Sequence, residues 1–111
     1  MTTIFGKIIK GELPSTKVFE NERIVAIQDI HPQAPVHILI IPKKEIQDFS
    51  SVTPQDMPLI AEVLEVAQKL AKKFNIEKGY RLITNNGSEA GQVVFHLHFH
   101  LLGGRKLGPL G

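Results

Sequence analysis

Three of the chain's five histidines stand within five residues, in the segment VVFHLHFHLL at 93–102. In a strand, successive side chains alternate between faces, so His96, His98 and His100 would share one face and Leu97, Phe99 and Leu101 the other. Three readings follow. Satisfied polar groups on a solvent-facing strand would suit a lone histidine, but less well three at strict alternation with a fourth, His37, on another β-rich segment. A metal site is the second, since neutral imidazole ligates zinc, copper and nickel. Residues i and i+4 of a straight strand are about 13 Å apart, however, so one ion at about 2.1 Å from its ligands does not reach both outer histidines. No obvious carboxylate partner lies nearby in sequence, and no metal is expected. The third reading is nucleophilic catalysis at phosphorus, where an imidazole with an ordinary pKa near 6.5 attacks without a separate strong base. The middle histidine would attack while its neighbours fix its tautomer, hold phosphoryl oxygens and handle the leaving-group proton.

The loop NNGSEAGQ feeds directly into this segment. Gly87 and Gly91 can bring backbone N–H groups close to a phosphate, with Asn85, Asn86, Ser88 and Gln92 adding amides and a hydroxyl. Taken alone, Asn-Gly is also a common hairpin turn.

The elements that must position these residues can be read from hydrophobic spacing. IFGKIIK at 4–10 places Ile4, Phe5, Ile8 and Ile9 on one helical stripe, with Gly11 and Pro14 as a stop. Residues 16–19 and 24–29 form a hairpin around a polar turn at 20–22. A proline-bracketed loop at 31–35 precedes a strand from Val36 to Ile41. The segment from Thr53 to Asn75 predicts a long helix, with Thr53 as N-cap, Pro54 at the first helical position, Asp56 placed for a capping box, and Pro58 bending or delaying the first turns. Its apolar stripe runs Met57, Ile60, Leu64, Ala67, Ala71 and Phe74, flanked by Val63 and Leu70, and Gly79 ends the unit. Strands at 80–85 and 93–102 follow as antiparallel neighbours. This order predicts one α+β domain over residues 1–111, with helices packed on a five-stranded, mainly antiparallel sheet.

The composition narrows the partners. The chain has 111 residues, 42% hydrophobic, and a formal net charge of +2. Its basic pairs, Lys43-Lys44, Lys72-Lys73 and Arg105-Lys106, are too short to track a nucleic-acid backbone. No apolar run reaches about 18 residues, and the first residues lack the apolar core and cleavage site of a signal peptide. Neither nucleic acid nor membrane is expected as a partner, and a cytoplasmic location is. The absence of cysteine excludes disulfides, thiolate metal sites and thiol nucleophiles.

HLHFHLL resembles the His-x-His-x-His-x-x signature of the histidine-triad (HIT) superfamily, with apolar residues at each x. TIFGKIIKGELPSTKVFEN, QDIHPQAPVHILIIPKK and NNGSEAGQ through HLLGGR are similar to its Hint branch, the purine nucleoside phosphoramidases, in order and over nearly the whole chain. The resemblance implies a homodimer whose two five-stranded sheets join into a ten-stranded one. It implies cleavage of the P–N bond of adenosine 5′-phosphoramidate or aminoacyl-like conjugates of AMP, without a cofactor. By the same resemblance His98 is the nucleophile, His96 supports it together with His37, and His100 contacts the phosphate or leaving-group side. Asp29 takes ribose hydroxyls, Asn85 the phosphate side, and Ile4, Phe5, Ile8, Ile27 and Ile30 the purine base. Gln92 and Val93 border the phosphate.

Each of these assignments also has a plainer reading. Asp29 caps the turn before His31-Pro32, the isoleucines are core, and His37 is a surface residue beside Pro35. Three positions depart from the resemblance. Glu45 stands where several relatives carry histidine, Val93 where many carry serine, and the tail RKLGPLG lacks an aromatic residue. Within the superfamily a dinucleoside polyphosphate hydrolase is the alternative, and outside enzymes a nucleotide-binding regulatory module.

Overall fold

The structure, a computed structural model, describes residues 3–111; Met1 and Thr2, part of the stretch read for a leader, lie outside them. Helix α1 spans Ile4–Ile9, and Thr3 caps it by accepting the Gly6 N–H on its hydroxyl at 3.0 Å. It closes with a Schellman pair, Glu12 N–H to the Lys7 carbonyl at 2.8 Å and Gly11 N–H to that of Ile8 at 3.0 Å. Strands β1 (Lys17–Glu20) and β2 (Ile24–Gln28) form the expected hairpin, whose turn is held by Asn21 Oδ1 accepting the N–H groups of Arg23 and Ile24. Then come β3 (Val36–Pro42), α2 (Met57–Lys73), β4 (Tyr80–Ile83) and β5 (Phe99–Gly103). The five strands are antiparallel throughout, in the order β1-β2-β3-β5-β4.

Both faces of the sheet are covered at its centre, which is why β2 and β3 read as unbroken apolar runs. Ile24, Ala26, Ile38, Ile40, Phe99 and Leu101 pack against Val63, Val66, Ala67, Leu70 and Ala71 of α2. On the opposite face Val25, Ile27, Leu39 and Ile41 meet Phe5 and Ile8 of α1. Burying one such side chain contributes about 1.5–3 kcal/mol, so the central strands anchor the domain.

The start of α2 follows its chemistry. Asp56 Oδ2 accepts from the Thr53 N–H (2.9 Å) and hydroxyl (3.0 Å), and Lys44 Nζ lies 2.5 Å from Oδ1. Residues Pro54–Asp56 form a 3-10 turn, and the α-helix begins only at Met57, as the second proline requires.

Three expectations need correction. The buried stripe of α2 centres on Val63, Val66, Ala67, Leu70 and Ala71, while Met57 and Leu64 face outward at 53% and 46% exposure. The helix ends before Gly79: Asn75 takes the left-handed conformation at φ 59°, with Ile76 N–H on the Ala71 carbonyl and Asn75 N–H on that of Lys72. Finally, the segment at 93–102 is a strand only from Phe99, and residues 84–98 form an irregular connection with one 3-10 turn at Ser88–Ala90.

The ladder stops there for a physical reason. Its last pairs are Ile40 with Phe99 on one side and Ile83 with His100 on the other. Two steps further, opposite Leu97, β3 offers Pro42, which has no N–H and whose carbonyl accepts the His96 ring at 2.7 Å. Leu97 N–H turns instead to the Ile46 carbonyl, also at 2.7 Å.

Candidate active site

His96, His98 and His100 do not form one row on a strand. Only His100 lies on β5, paired with Leu39, and His37 lies on β3 opposite Leu102, which puts both rings on the α1 face of the sheet. His98 immediately precedes β5, with its ring centroid 5.1 Å from that of His100 and 4.8 Å from Phe5, edge to face. His96 is turned inward at 2% exposure.

Backbone groups assign the tautomers. A carbonyl only accepts, so His96 donates from Nε2 to Pro42, and His98 donates from Nδ1 to the His96 carbonyl at 2.7 Å. His98 therefore keeps the Nε2 lone pair. An amide only donates, so the Gln33 N–H at 3.0 Å makes His37 Nδ1 an acceptor and leaves the proton on Nε2. That proton is given to His100 Nδ1 at 2.9 Å, with Asp29 Oδ2 3.4 Å away, and the neutral His100 ring carries its own proton on Nε2. The result is a directed relay ending in a donor, beside an imidazole ending in a lone pair.

Burial favours the neutral form of His37, His98 and His100. Burial pushes the His98 pKa below its ordinary value, and the His96 ring pushes the same way, against the opposing pull of its bond to the His96 carbonyl and of Asp29. Burial, then the neighbouring His98 and His37, push His100 down to about 4. His37 is lowered by burial too, and Asp29 partly offsets it.

The ligand atoms of Asp29, His37 and His100 lie within 4.8 Å of one another, a spacing that suits a divalent ion. The tautomers do not suit it. To ligate through Nε2, His37 would have to carry its proton on Nδ1, which faces the Gln33 N–H. The donor set is arranged to pass hydrogen bonds along the row.

The remaining expected residues divide. Asp29 performs its plainer role, accepting the His31 N–H on Oδ1 at 2.8 Å, while Oδ2 faces His37. Phe5, Ile8 and Ile27 are buried in one cluster, with Phe5 against the His98 ring, whereas Ile4 and Ile30 are outside that cluster at 56% and 85% exposure. Asn85 is half-buried. Gln92 is buried, and its amide holds the loop together: Oε1 accepts the Gly87 N–H, and Nε2 donates to the Gln47 and Val94 carbonyls. Gly87 and Gly91 have φ of 90° and 98°, so this loop shape requires glycine. Val93 is 83% exposed, and Glu45 is exposed on the neighbouring loop.

Sequence reasoning missed the Gln33 amide and the Thr84 hydroxyl, which donates to the His98 carbonyl at 2.8 Å. The only signal for Thr84 was its place after the apolar run of β4; for Gln33 there was none, because the donor is backbone.

The α+β sheet and its imidazole row define a histidine-triad domain. Residues 10–107 match the HIT domain model, and the chain belongs to the HIT family. A HIT-like protein of Chlamydia pneumoniae is 55% identical over 108 residues, 97% of this chain and 98% of its own. The structure of a HIT family hydrolase from Clostridium thermocellum superposes with a TM-score of 0.94 at 51% identity, covering 98% of this chain and 96% of that one. A histidine triad nucleotide-binding protein from Candida albicans superposes at 0.84 and 36% identity, covering 99% and 84%.

Proposed function

We propose that the protein is a hydrolase that cleaves the P–N bond of purine nucleoside phosphoramidates through a nucleotidyl-His98 intermediate. The observation that carries this reading is the His98 tautomer: Nδ1–H is committed to the His96 carbonyl, which leaves the Nε2 lone pair beside the His100 donor. His98 Nε2 attacks phosphorus, the P–N bond breaks, and the amine departs after gaining a proton. Water then attacks phosphorus, the His98–P bond breaks, and a nucleoside monophosphate is released. His100 Nε2–H donates to phosphoryl oxygen as charge builds there. Imidazole serves both halves, because it attacks while neutral and leaves readily.

The solved relatives named as a hydrolase and as a nucleotide-binding protein support the reading. Phe5, Ile8 and Ile27 provide an apolar wall for a purine beside His98, and Asp29 an acceptor for ribose hydroxyls. The protein acts as a cytoplasmic homodimer in this reading; among the described residues no helix is long and apolar enough to cross a membrane.

The test is incubation with an AMP–amine conjugate, followed by acid-free quenching and mass spectrometry. Wild-type protein is expected to release AMP and show a nucleotidyl adduct on His98, and His98→Ala to do neither. Turnover by His98→Ala at the wild-type rate would sink the mechanism. Faster hydrolysis of a diadenosine polyphosphate than of the phosphoramidate would move the protein to the alternative substrate class.

A further inference from the structure

We propose that Thr84 is a positioning residue for the nucleophile, its hydroxyl fixing the peptide unit from which the His98 imidazole is aimed. The inference rests on the reading of His98 as nucleophile. His98 stands just beyond the sheet, since the ladder to β3 ends at Phe99 and the ladder to β4 at His100. Two tethers replace those ladders. On one side, the peptide joining His96 to Leu97 donates its N–H to the Ile46 carbonyl at 2.7 Å and receives the His98 ring on its own carbonyl. On the other side, the His98 carbonyl is held by Thr84 Oγ1 at 2.8 Å.

The backbone of His98 is thus clamped before and after its Cα, and the ring closes a hydrogen-bonded loop between the clamps. With the Thr84 clamp released, the peptide after His98 is held only from the β3 side, where Phe99 pairs with Ile40, and the Nδ1–H bond that selects the nucleophilic tautomer loses its alignment. The first clamp is backbone and cannot be altered by side-chain substitution. The second is a single hydroxyl on the residue following β4. Threonine suits the place because its β-branched side chain is stiff at χ1 and holds the hydroxyl in one direction.

Thr84→Val keeps the shape and deletes the hydroxyl; Thr84→Ser keeps the hydroxyl, and Thr84→Ala is a second deletion if valine does not fold. Steady-state kinetics on an AMP–amine conjugate are read beside the nitrogen-15 spectrum of the His98 ring without substrate. For Thr84→Val we expect kcat to fall about tenfold or more with KM within about twofold, since misorientation costs the chemical step rather than binding. The ring spectrum should move from one tautomer towards a mixture, and Thr84→Ser should restore both readouts. A wild-type ring spectrum in the valine and alanine variants, or a serine variant no better than valine, overturns the proposal. If wild-type protein does not turn over the conjugate, the phosphoramidase reading fails, and the ring spectrum alone decides the role of Thr84.

Discussion

At His98 the chemistry is decided by which nitrogen keeps its lone pair, and the deciding partners are main-chain groups. The residue types were legible in the sequence, because alternating imidazoles are rare and specific. Their pairing was not. The resemblance gave His96 and His37 a shared part in supporting His98 and was silent on contacts: His37 meets His100, because register places both on one sheet face, and His96 turns to Pro42. Every residue carries a carbonyl, and all but proline an N–H, so the Gln33, Pro42 and His96 groups that set the tautomers left no mark in the residue pattern. A pH dependence follows from the burial of these rings. With the His98 and His100 pKa values pushed down, His100 to about 4, both are neutral across the physiological range. We expect kcat/KM for the AMP–amine conjugate to be flat through neutral pH and to fall on acidification only below the ordinary histidine pKa of about 6.5. A rate already halved at pH 7 would contradict it. Stability moves in the same direction. The unfolded chain protonates His100 below about 6.5 while the folded chain resists until about 4, so acidification through that window favours unfolding, and above it His100 contributes no slope. Thermal melts at stepped pH should show a shallower loss for His100→Asn than for wild type.

Local signals that fix an element outright were read correctly, and signals that depend on neighbours were not. The Thr-Pro-x-Asp start of α2 is a self-contained device: Asp56 takes two bonds from Thr53, and the Lys44 ammonium, followed by the Thr53 N–H, holds its carboxyl down to about 2. The buried side of the same helix was right at Val63, Ala67, Leu70 and Ala71 and wrong at Met57 and Leu64, since a stripe that takes in Met57 and Leu64 and one that takes in Val66 instead differ little in spacing. Only the direction of the sheet beneath decides between them. The alternating pattern of 93–98 is likewise strand-like, yet its backbone partners are missing where β3 ends in proline. A test at this scale is Asp56→Ala, which removes both Thr53 bonds and the partner of Lys44 from the first turn of α2. We expect a Tm several degrees lower at neutral pH, with the deficit narrowing as the pH falls towards 2 and wild-type Asp56 is itself protonated. Chemical and thermal denaturation series check this, and a constant deficit down to pH 2 would show that the carboxylate charge is not what holds the turn.

For the whole molecule, the sheet has two edges, and they differ in how open they are to a second chain. The β1 edge is irregular, with a register shift between Lys17 and Phe19, and its end carries Glu20 between Lys17 at 3.0 Å and Lys43 at 2.7 Å. Bulges and charges of this kind discourage edge pairing. The β4 edge has four consecutive pairs with β5 and no shift, and Tyr80 at its start is 38% exposed. Joining two sheets into ten strands is therefore best served by β4 meeting its copy, and the same contact would bury apolar surface that a small domain leaves open. The placement has a consequence for catalysis, because β4 leads directly into Thr84 and the loop before His98, so self-association would stiffen the segment that aims the nucleophile. Sedimentation of wild-type protein should give twice the chain mass of 12.3 kDa. Tyr80→Glu, which brings like charges together across a two-fold edge, should shift the population towards single chains and lower kcat more than KM. Arg23→Glu, far from β4 and opposite Glu62 on α2, should replace only that surface ion pair by a like-charge contact and leave the sedimentation unchanged. Should Tyr80→Glu sediment as wild type does, the β4 edge is not where two copies meet.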